Sequence, residues 1–412
     1  MSKNNIQLLK GFRDYLPSEQ IARRKIISKI SEIFERFGFA PIETPALEQY
    51  ELFKGKLGED EKLMYKFKDL GDREVALRYD LTVPLARVVA NYPDLPKPFK
   101  RYQVANVWRA DNPQKGRFRE FTQCDADIIG ADSEIADAEV IAALSQAFMS
   151  LEVGEVVVRI NNRTLIDKAL EQLDVPKTSR VKFMRILDKM DKIGAEKVSE
   201  ALKEEGFEES LLKNYEKAVR EMDAEYESRM QNLLEGFGVI NIQFDPYLMR
   251  GLDYYTGIIF EFFLKGKADF GSVGSGGRYD NLIGKFTGKD MPAVGGSIGL
   301  DRLFAALQDA GKISPQTAAE VIVFNLDKNL TADYLNMTTN LRAAGIDTEF
   351  IYDTAKIDKQ FKYAESKNMQ VAVIFGPDEA KKRVVNLKNL AEKKQVTVDL
   401  DNLVTEVKSM LW

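Results

Sequence analysis

Two stretches of strand character, Lys100–Arg109 and Phe118–Ile129, flank a run from Asp111 to Gly116 that is rich in Asp, Asn, Pro and Gly. Those residue types favour turns, so the pattern predicts a long antiparallel hairpin and, with it, a sheet domain. Along the return strand Gln123, Asp125 and Asp127 alternate. Side chains two apart share a face of a strand, so that face meets either solvent or a polar pocket, and the pocket is the favoured reading. Arg109 precedes the turn, and Lys115, Arg117 and Arg119 lie at or after it. A charge cluster at a tip is ordinarily a solvated face, but four cations here exceed what solubility requires.

The neighbouring segments fit a sheet flanked by helices. Ile21, Ile26, Ile30, Ile33, Phe34 and Phe37 give Ser18–Phe37 the spacing of an amphipathic helix, stopped by Gly38. Phe39–Leu47 reads as extended and is broken by Pro41 and Pro45. Met64–Phe67 and Glu74–Tyr79 form a second hairpin across Gly71-Asp72. It leads into Asp80-Leu81-Thr82, where capping of the next helix is the plain reading for Thr82, and Asp80 stays open between cap and function. Ile135–Leu151 reads as a helix and Val153–Asn161 as a strand. Leu165–Glu235 is charged, poor in Gly and Pro and helical in period, which marks a helical insertion.

The sheet pattern resumes at Ile240 and includes Arg250-Gly-Leu-Asp-Tyr-Tyr-Thr-Gly-Ile-Ile-Phe-Glu-Phe-Phe263. A five-donor cation and two phenols beside a buried strand make a binding element; an aromatic strand with a surface arginine makes the same pattern, and this stretch alone leaves both open. Gly271–Asp280 is glycine-rich, yet it lacks the spacing of either nucleotide-binding loop. Its glycines are expected to admit close approach of backbone or ligand. Ala293–Leu303 predicts a small-residue strand running into a helix. From Ala318 strands and helices alternate (Glu320–Asn325, Ala332–Ala344, Thr348–Tyr352, Lys359–Lys367, Val371–Phe375, Val384–Leu387, Val396–Leu400 and a terminal helix), which predicts a separate α/β domain. Lysines at 356, 359, 362 and 367 and the Lys381–Lys388 group give that domain a surface suited to a polyanion.

Composition narrows the chemistry. The chain has 412 residues and net charge −5, so bulk electrostatics do not drive nucleic-acid binding. The single cysteine, Cys124, excludes an internal disulfide and a thiolate-rich metal site. No stretch approaches a membrane span, and Met1–Lys10 lacks the apolar core of a signal peptide; the expected location is the cytoplasm, without membrane attachment. There is no histidine at all, which removes every imidazole-dependent mechanism. Three arginines at sheet-domain junctions, Arg109, Arg250 and Arg302, suit phosphate oxygens. Beside them stand Asp80, Gln123 and Asp127 and two tyrosines. Such a set predicts a nucleotide plus a small cationic cosubstrate that itself attacks in line, with catalysis by positioning and charge stabilisation.

Over nearly its full length the chain resembles the histidyl-tRNA synthetases, a class II aminoacyl-tRNA synthetase family. Pro45 lies in what looks like motif 1, the dimer-interface strand. Val107–Asp111 through Arg119–Phe121 looks like motif 2, and Gly299–Leu303 like motif 3. Those motifs give only the class, whereas Arg78–Thr82, Arg250–Tyr255 and Gly276–Asp280 are much more specific to the histidine enzyme. The resemblance implies an α+β fold: a class II antiparallel sheet flanked by helices over residues 1–317, a helical insertion at about 165–235, and an anticodon-binding α/β domain over 318–412. It implies a histidine–tRNA ligase that uses ATP and Mg²⁺ to form histidyl-adenylate, passes histidine to the 3′ end of tRNA(His), and works as a homodimer.

By the same resemblance Arg109 holds the α-phosphate, with Arg250 across from it where related enzymes often place a metal. Arg302 holds the γ-phosphate, Phe121 stacks on adenine, and Asp111 stands as the motif 2 acid. Asp80, Leu81, Thr82 and Gln123 surround the amino acid. Its imidazole is read by Asp127 and Tyr255, with Tyr254 close by, and Gln114, Lys115 and Arg117 face the acceptor end. Asp127 and Asp111 each stand where many relatives carry Glu, one methylene shorter. The alternative is a non-charging, histidine-sensing regulatory subunit of ATP phosphoribosyltransferase; the intact Arg250–Tyr255 and the C-terminal domain count against it. For the absence of histidine two origins stay open, autonomy from histidine supply and removal by design.

Overall fold

The structure, a computed structural model, describes residues 7–114, 116–249, 255–314 and 317–411. Two compact units are present, Met1–Arg13 with Ile26–Lys312, and Asp14–Lys25 with Ile313–Trp412. Strands of the first run β1 (Ala40–Pro41), β2 (Leu47–Gln49), β3 (Lys66–Lys68), β4 (Glu74–Leu77), β5 (Phe99–Trp108), β6 (Glu120–Ile129), β7 (Val156–Asn162), β8 (Ile242–Phe244), β9 (Ile258–Leu264), β10 (Ser272–Arg278) and β11 (Ala293–Gly299). Eight of them form one sheet in the order β1-β5-β6-β11-β10-β9-β7-β8, while β2-β4-β3 form a small second sheet. Strand β1 joins β5 parallel and β8 joins β7 parallel. The other pairs of the large sheet are antiparallel.

The hairpin forms as its pattern predicts, in a register that sets Arg101 opposite Asp127, Gln103 opposite Asp125 and Ala105 opposite Gln123. One face of this sheet is apolar. Helix α1 (Pro17–Arg36) and α2 (Thr82–Asn91) precede α3 (Glu134–Ser150), whose Val140, Ile141, Leu144 and Phe148 are buried. Helix α3 packs on β6, β10 and β11. A Cβ added to Gly296 would meet Leu144, whereas one added to the adjacent Gly295 would meet Asp127. Successive side chains leave opposite faces of a strand, so the polar alternation of β6 lies away from α3. Glycines on β10 and β11 allow this packing: a Cβ at Gly276 would lie 2.2 Å from the carbonyl oxygen of Gly295. The expectation of close backbone approach holds, and Gly271–Asp280 is mostly the strand β10 rather than a nucleotide loop.

The helical insertion is α4 (Arg163–Gln172), α5 (Lys177–Leu187), α6 (Met190–Glu204, kinked at Gly194) and α7 (Leu211–Gly236). Their apolar stripes meet in a core that includes Leu170, Phe183, Leu187, Val198 and Tyr215. The strand expected from Val153 starts later, at Val156, because Glu152 and Gly154 both take left-handed φ and turn the chain first. Helices α8 (Asp280–Thr287) and α9 (Leu300–Asp309) complete this unit.

In the second unit β12 (Val321–Val323), β13 (Thr348–Phe350), β14 (Val371–Ile374), β15 (Val384–Asn389) and β16 (Gln395–Asp399) make a sheet ordered β13-β12-β14-β15-β16. Helices α10 (Thr331–Ala343) and α13 (Leu403–Leu411) contribute to a core that contains Tyr334, Leu341 and Val407. Helix α11 (Ile357–Ser366) contributes to a separate one with Phe324, Ala364 and Ala372. Burial on both sides explains why β12 and β14 read as unbroken apolar runs. Helix α12 (Pro377–Lys382) is not in the sequence reading. It is short, starts at a proline, and is held by Glu379 accepting from the Gly376 N–H at 2.9 Å. Lys356, Lys359 and Lys362 are exposed, while Lys367 pairs with Glu349 at 2.5 Å. No helix among the described residues is long and apolar enough to cross a membrane.

Candidate active site

The polar face of β6 and β11 floors a cavity of about 540 Å³. Residues singled out in the sequence line it, Asp125 among them. Asp80, Thr82, Gln123, Asp127 and Tyr255 lie with Arg109, Asp111, Arg117, Phe121 and Arg302 around one space. Leu81 does not line it: its side chain is fully buried with Ala105 and Val107. Gln114 is exposed in a turn bridged to Arg117 and is not part of the lining. Arg250, Tyr254 and Lys115 lie outside the described residues.

At one end stand the arginines and an aromatic ring. Arg109 donates from Nε to the Tyr79 carbonyl at 3.0 Å, and its guanidinium lies 4.2 Å from the Tyr79 ring and 5.1 Å from the Phe121 ring. Arg302 donates to the Ser272 carbonyl at 2.5 Å. The loop after β5 is closed by its own cations. Arg119 Nε donates to the Asp111 carbonyl at 3.0 Å, and Arg117 pairs with the Asp111 carboxylate at 3.0 Å. Of the four cations at the hairpin tip, Arg109 and Arg117 therefore face the cavity, Arg119 braces the loop, and Lys115 is not described.

The deeper end is acidic. Asp80 accepts from the Val83 N–H at 3.0 Å, so it caps α2 and lines the cavity at once. Burial raises its carboxyl above the ordinary range, against the pull of Arg109 and Arg101. Gln123 donates from Nε2 to Ser297 at 2.9 Å, and its buried Oε1 has no hydrogen-bond partner among the described residues. Asp127 accepts from the Tyr279 hydroxyl at Oδ1, while its Oδ2 lies 2.8 Å from Nη2 of Arg101. Burial raises Asp125, up to about 7, and Asp127 as well; the Arg101 charge opposes both shifts. An orphaned acceptor beside buried carboxylates suits a substrate that brings N–H donors.

Sequence reasoning passed over several groups. Arg101, Tyr279 and Ser297 all touch the acidic end, and the signal for Arg101 is its position opposite Asp127 once the register is known. Asp301 is buried, accepts from the Thr122 N–H at 2.7 Å and pairs with Arg13 at 2.6 Å, which ties α9 to β6 and to the extended start of the chain. Arg278 pairs with the buried Asp137 at 2.7 Å, joining β10 to α3. From the insertion, Arg185 and Asp188 reach the cavity lining.

A family model described as histidyl-tRNA synthetase matches residues 11–303. The chain belongs to that family. A second model, described as anticodon binding domain, matches residues 320–410. The histidine–tRNA ligase of Rhodopirellula baltica is 40% identical over 420 residues, covering 95% of this chain and 94% of its own. That of Pyrococcus horikoshii is 37% identical over 433 residues, covering 98% and 99%. The crystal structure of histidyl-tRNA synthetase from Nostoc superposes with a TM-score of 0.86 at 32% identity, covering 99% of this chain and 100% of that one. Histidyl-tRNA synthetases thus share both the sequence and the fold of this chain.

Proposed function

We propose that this chain is a histidine–tRNA ligase that activates L-histidine with ATP and transfers it to the 3′ end of tRNA(His). The single observation that carries this is the two-ended cavity: arginines and an aromatic ring at one end, orphaned acceptors and buried carboxylates at the other. The expected catalytic domain spans 1–317 and the anticodon-binding domain 318–412, working in the cytoplasm.

In this reading Arg109 and Arg250 face the α-phosphate, Arg302 the γ-phosphate, and Phe121 stacks on adenine, with Asp111 beside the nucleotide. Asp80, Thr82 and Gln123 take the ammonium group, with Leu81 acting through its backbone. Asp127 and Tyr255, with Tyr254, read the imidazole. The histidine carboxylate oxygen forms the new bond to the α-phosphorus while the bridging oxygen to the β-phosphorus leaves as pyrophosphate. A terminal hydroxyl of the tRNA, presented past Gln114, Lys115 and Arg117, then attacks the acyl carbon and AMP departs. Nucleophile and leaving group both come from substrates, so the protein's part is placement and charge compensation. Mg²⁺ would shield the phosphates. Among the described residues no three acidic or cysteine side chains gather to hold an ion, so the triphosphate would supply most of its ligands.

A homodimer is supported by the apolar side chains left exposed on and beside the small sheet, Leu47, Phe67 and Leu70. Sedimentation at micromolar concentration gives a particle of twice the chain mass if so, and of one chain mass if not. The regulatory alternative is disfavoured by the matched anticodon-binding domain. The deciding experiment is ATP–pyrophosphate exchange. Exchange dependent on histidine, followed by charging of tRNA(His), is the expected result; no exchange with saturating ATP and histidine rejects the ligase reading.

A further inference from the structure

Arg101 has no place in the assignment above, yet its position is costly. It is fully buried on β5 and does not line the cavity. Nη2 lies 2.8 Å from Asp127 Oδ2 and donates to the Leu81 carbonyl at 3.3 Å, while Nε and Nη1 have no hydrogen-bond partner among the described residues. A buried guanidinium with unpaired donors carries a desolvation penalty that a core built for stability alone would avoid with an apolar side chain. The groups that feel it are Asp127 and Asp125 from β6, Asp80 from the turn before α2, and Tyr279 after β10, with Arg109 and Tyr255 beside them. Three buried carboxylates in one pocket floor repel each other, and Arg101 is a cation that opposes protonation of all three.

Its contact with Asp127 is a close ion pair rather than an aligned hydrogen bond, because Oδ2 lacks a hydrogen-bond donor among the described residues. Asp127 therefore keeps an open acceptor oxygen with a cation beside it. We infer that Arg101 is a positioning and specificity residue that makes the pocket select histidine with its imidazole neutral. This rests on the ligase reading above. A neutral ring donates one N–H to Asp127 without adding charge. An imidazolium, or any cationic side chain of similar reach, would meet the Arg101 charge directly behind the carboxylate. Histidine free in solution is mostly neutral at pH 7, with a side-chain pKa of about 6.5, so the selection is nearly free at working pH.

The test is the pH dependence of histidine affinity for the full-length wild-type protein, by calorimetry or from the histidine KM in pyrophosphate exchange, between pH 5.5 and 8.5. The expected result is a loss approaching tenfold per pH unit below about 6.5, absent for a ring-fluorinated histidine, whose imidazole stays neutral over that range. Affinity for histidine that holds or rises as pH falls overturns the proposal, as does an equal loss for both ligands. Arg101→Met should raise the histidine KM at least tenfold at pH 7.5, leave the ATP KM within twofold, and remove the step near pH 6.5. Arg101→Lys should restore the step. A wild-type histidine KM and pH profile in Arg101→Met, or histidine and ATP KM rising in equal proportion, also overturns it. If Arg101→Met does not fold, the comparison of the two ligands on wild-type protein still decides. Failure of the ligase reading itself would show separately, as wild-type protein with no histidine-dependent exchange.

Discussion

Substituting Gly295 by alanine isolates the acidic end of the cavity. A Cβ built at Gly295 would lie 1.8 Å from Asp127 Oδ1 and 2.4 Å from its Cγ. Gly295 is the register partner of Asp127 and does not adopt left-handed φ, so alanine is excluded chiefly by the carboxylate, with the Ala126 carbonyl oxygen also tight at 3.1 Å. Relief to an ordinary contact moves that carboxylate by more than about 1 Å, away from the hydroxyl of Tyr279 and the guanidinium of Arg101. A misplacement of about 1 Å in a positioning group costs on the order of 100-fold, or roughly 2.7 kcal/mol. Overpacking adds about 1–3 kcal/mol of destabilisation. Gly295→Ala should therefore raise the histidine KM on the order of 100-fold in pyrophosphate exchange and leave the ATP KM within about twofold. Gly236→Ala is the control, since a Cβ there meets nothing within 4 Å. A folded Gly295→Ala protein with a histidine KM close to wild type would refute the placement of Asp127 in the amino-acid site.

Three further outcomes are expected. Burial raises the Asp125 carboxyl to about 7 from an ordinary 3.8. The folded state thus holds its proton more tightly than the unfolded, and the group detracts from stability increasingly as pH rises from about 4 to about 7. Asp125→Asn should be more stable than wild type at pH 8, by up to about 4 kcal/mol, with the difference vanishing near pH 4. Thermal midpoints across that range check it, and a variant less stable than wild type at pH 8 contradicts it. Asp301→Ala strips partners from the Thr122 N–H and Arg13 and should cost about 2–3 kcal/mol, with Asp301→Asn recovering part; an unchanged midpoint means the tie is idle. Arg250→Lys keeps the charge and loses the two-pronged fork, so adenylate formation should collapse while histidine affinity stays near wild type. Lost histidine binding with normal activation of whatever binds would contradict that role.

Much of this site is legible in the linear chain because strand alternation is a local property. The spacing of Gln123, Asp125 and Asp127 announces a shared polar face before any partner is known. Arg109 stands out as a cation before a turn, whereas Phe121 is named only through the resemblance to the synthetase family. Arg101 does not stand out. Its neighbours in sequence are Lys100 and Tyr102, and its partner is 26 residues away across a hairpin whose connection is too long to set the register. Tyr279 and Ser297 arrive from β10 and β11 by pairings no local pattern predicts. Asp301 shows the converse: its sequence context marks the start of a helix, and its buried tie to Arg13 depends on a segment 288 residues away.

By itself, then, the sequence determines which strands and helices form, the polar character of one sheet face, the chemistry that remains without histidine, and the kinship written in short motifs. Each of these rests on side-chain type and short-range period. Only the tertiary structure decides that Asp127 is held between Arg101 and Tyr279, that Leu81 turns into the core, and that Gly295 leaves room for a carboxylate. These depend on strand register, and in a buried site a one-residue slip would turn every side chain to the opposite face.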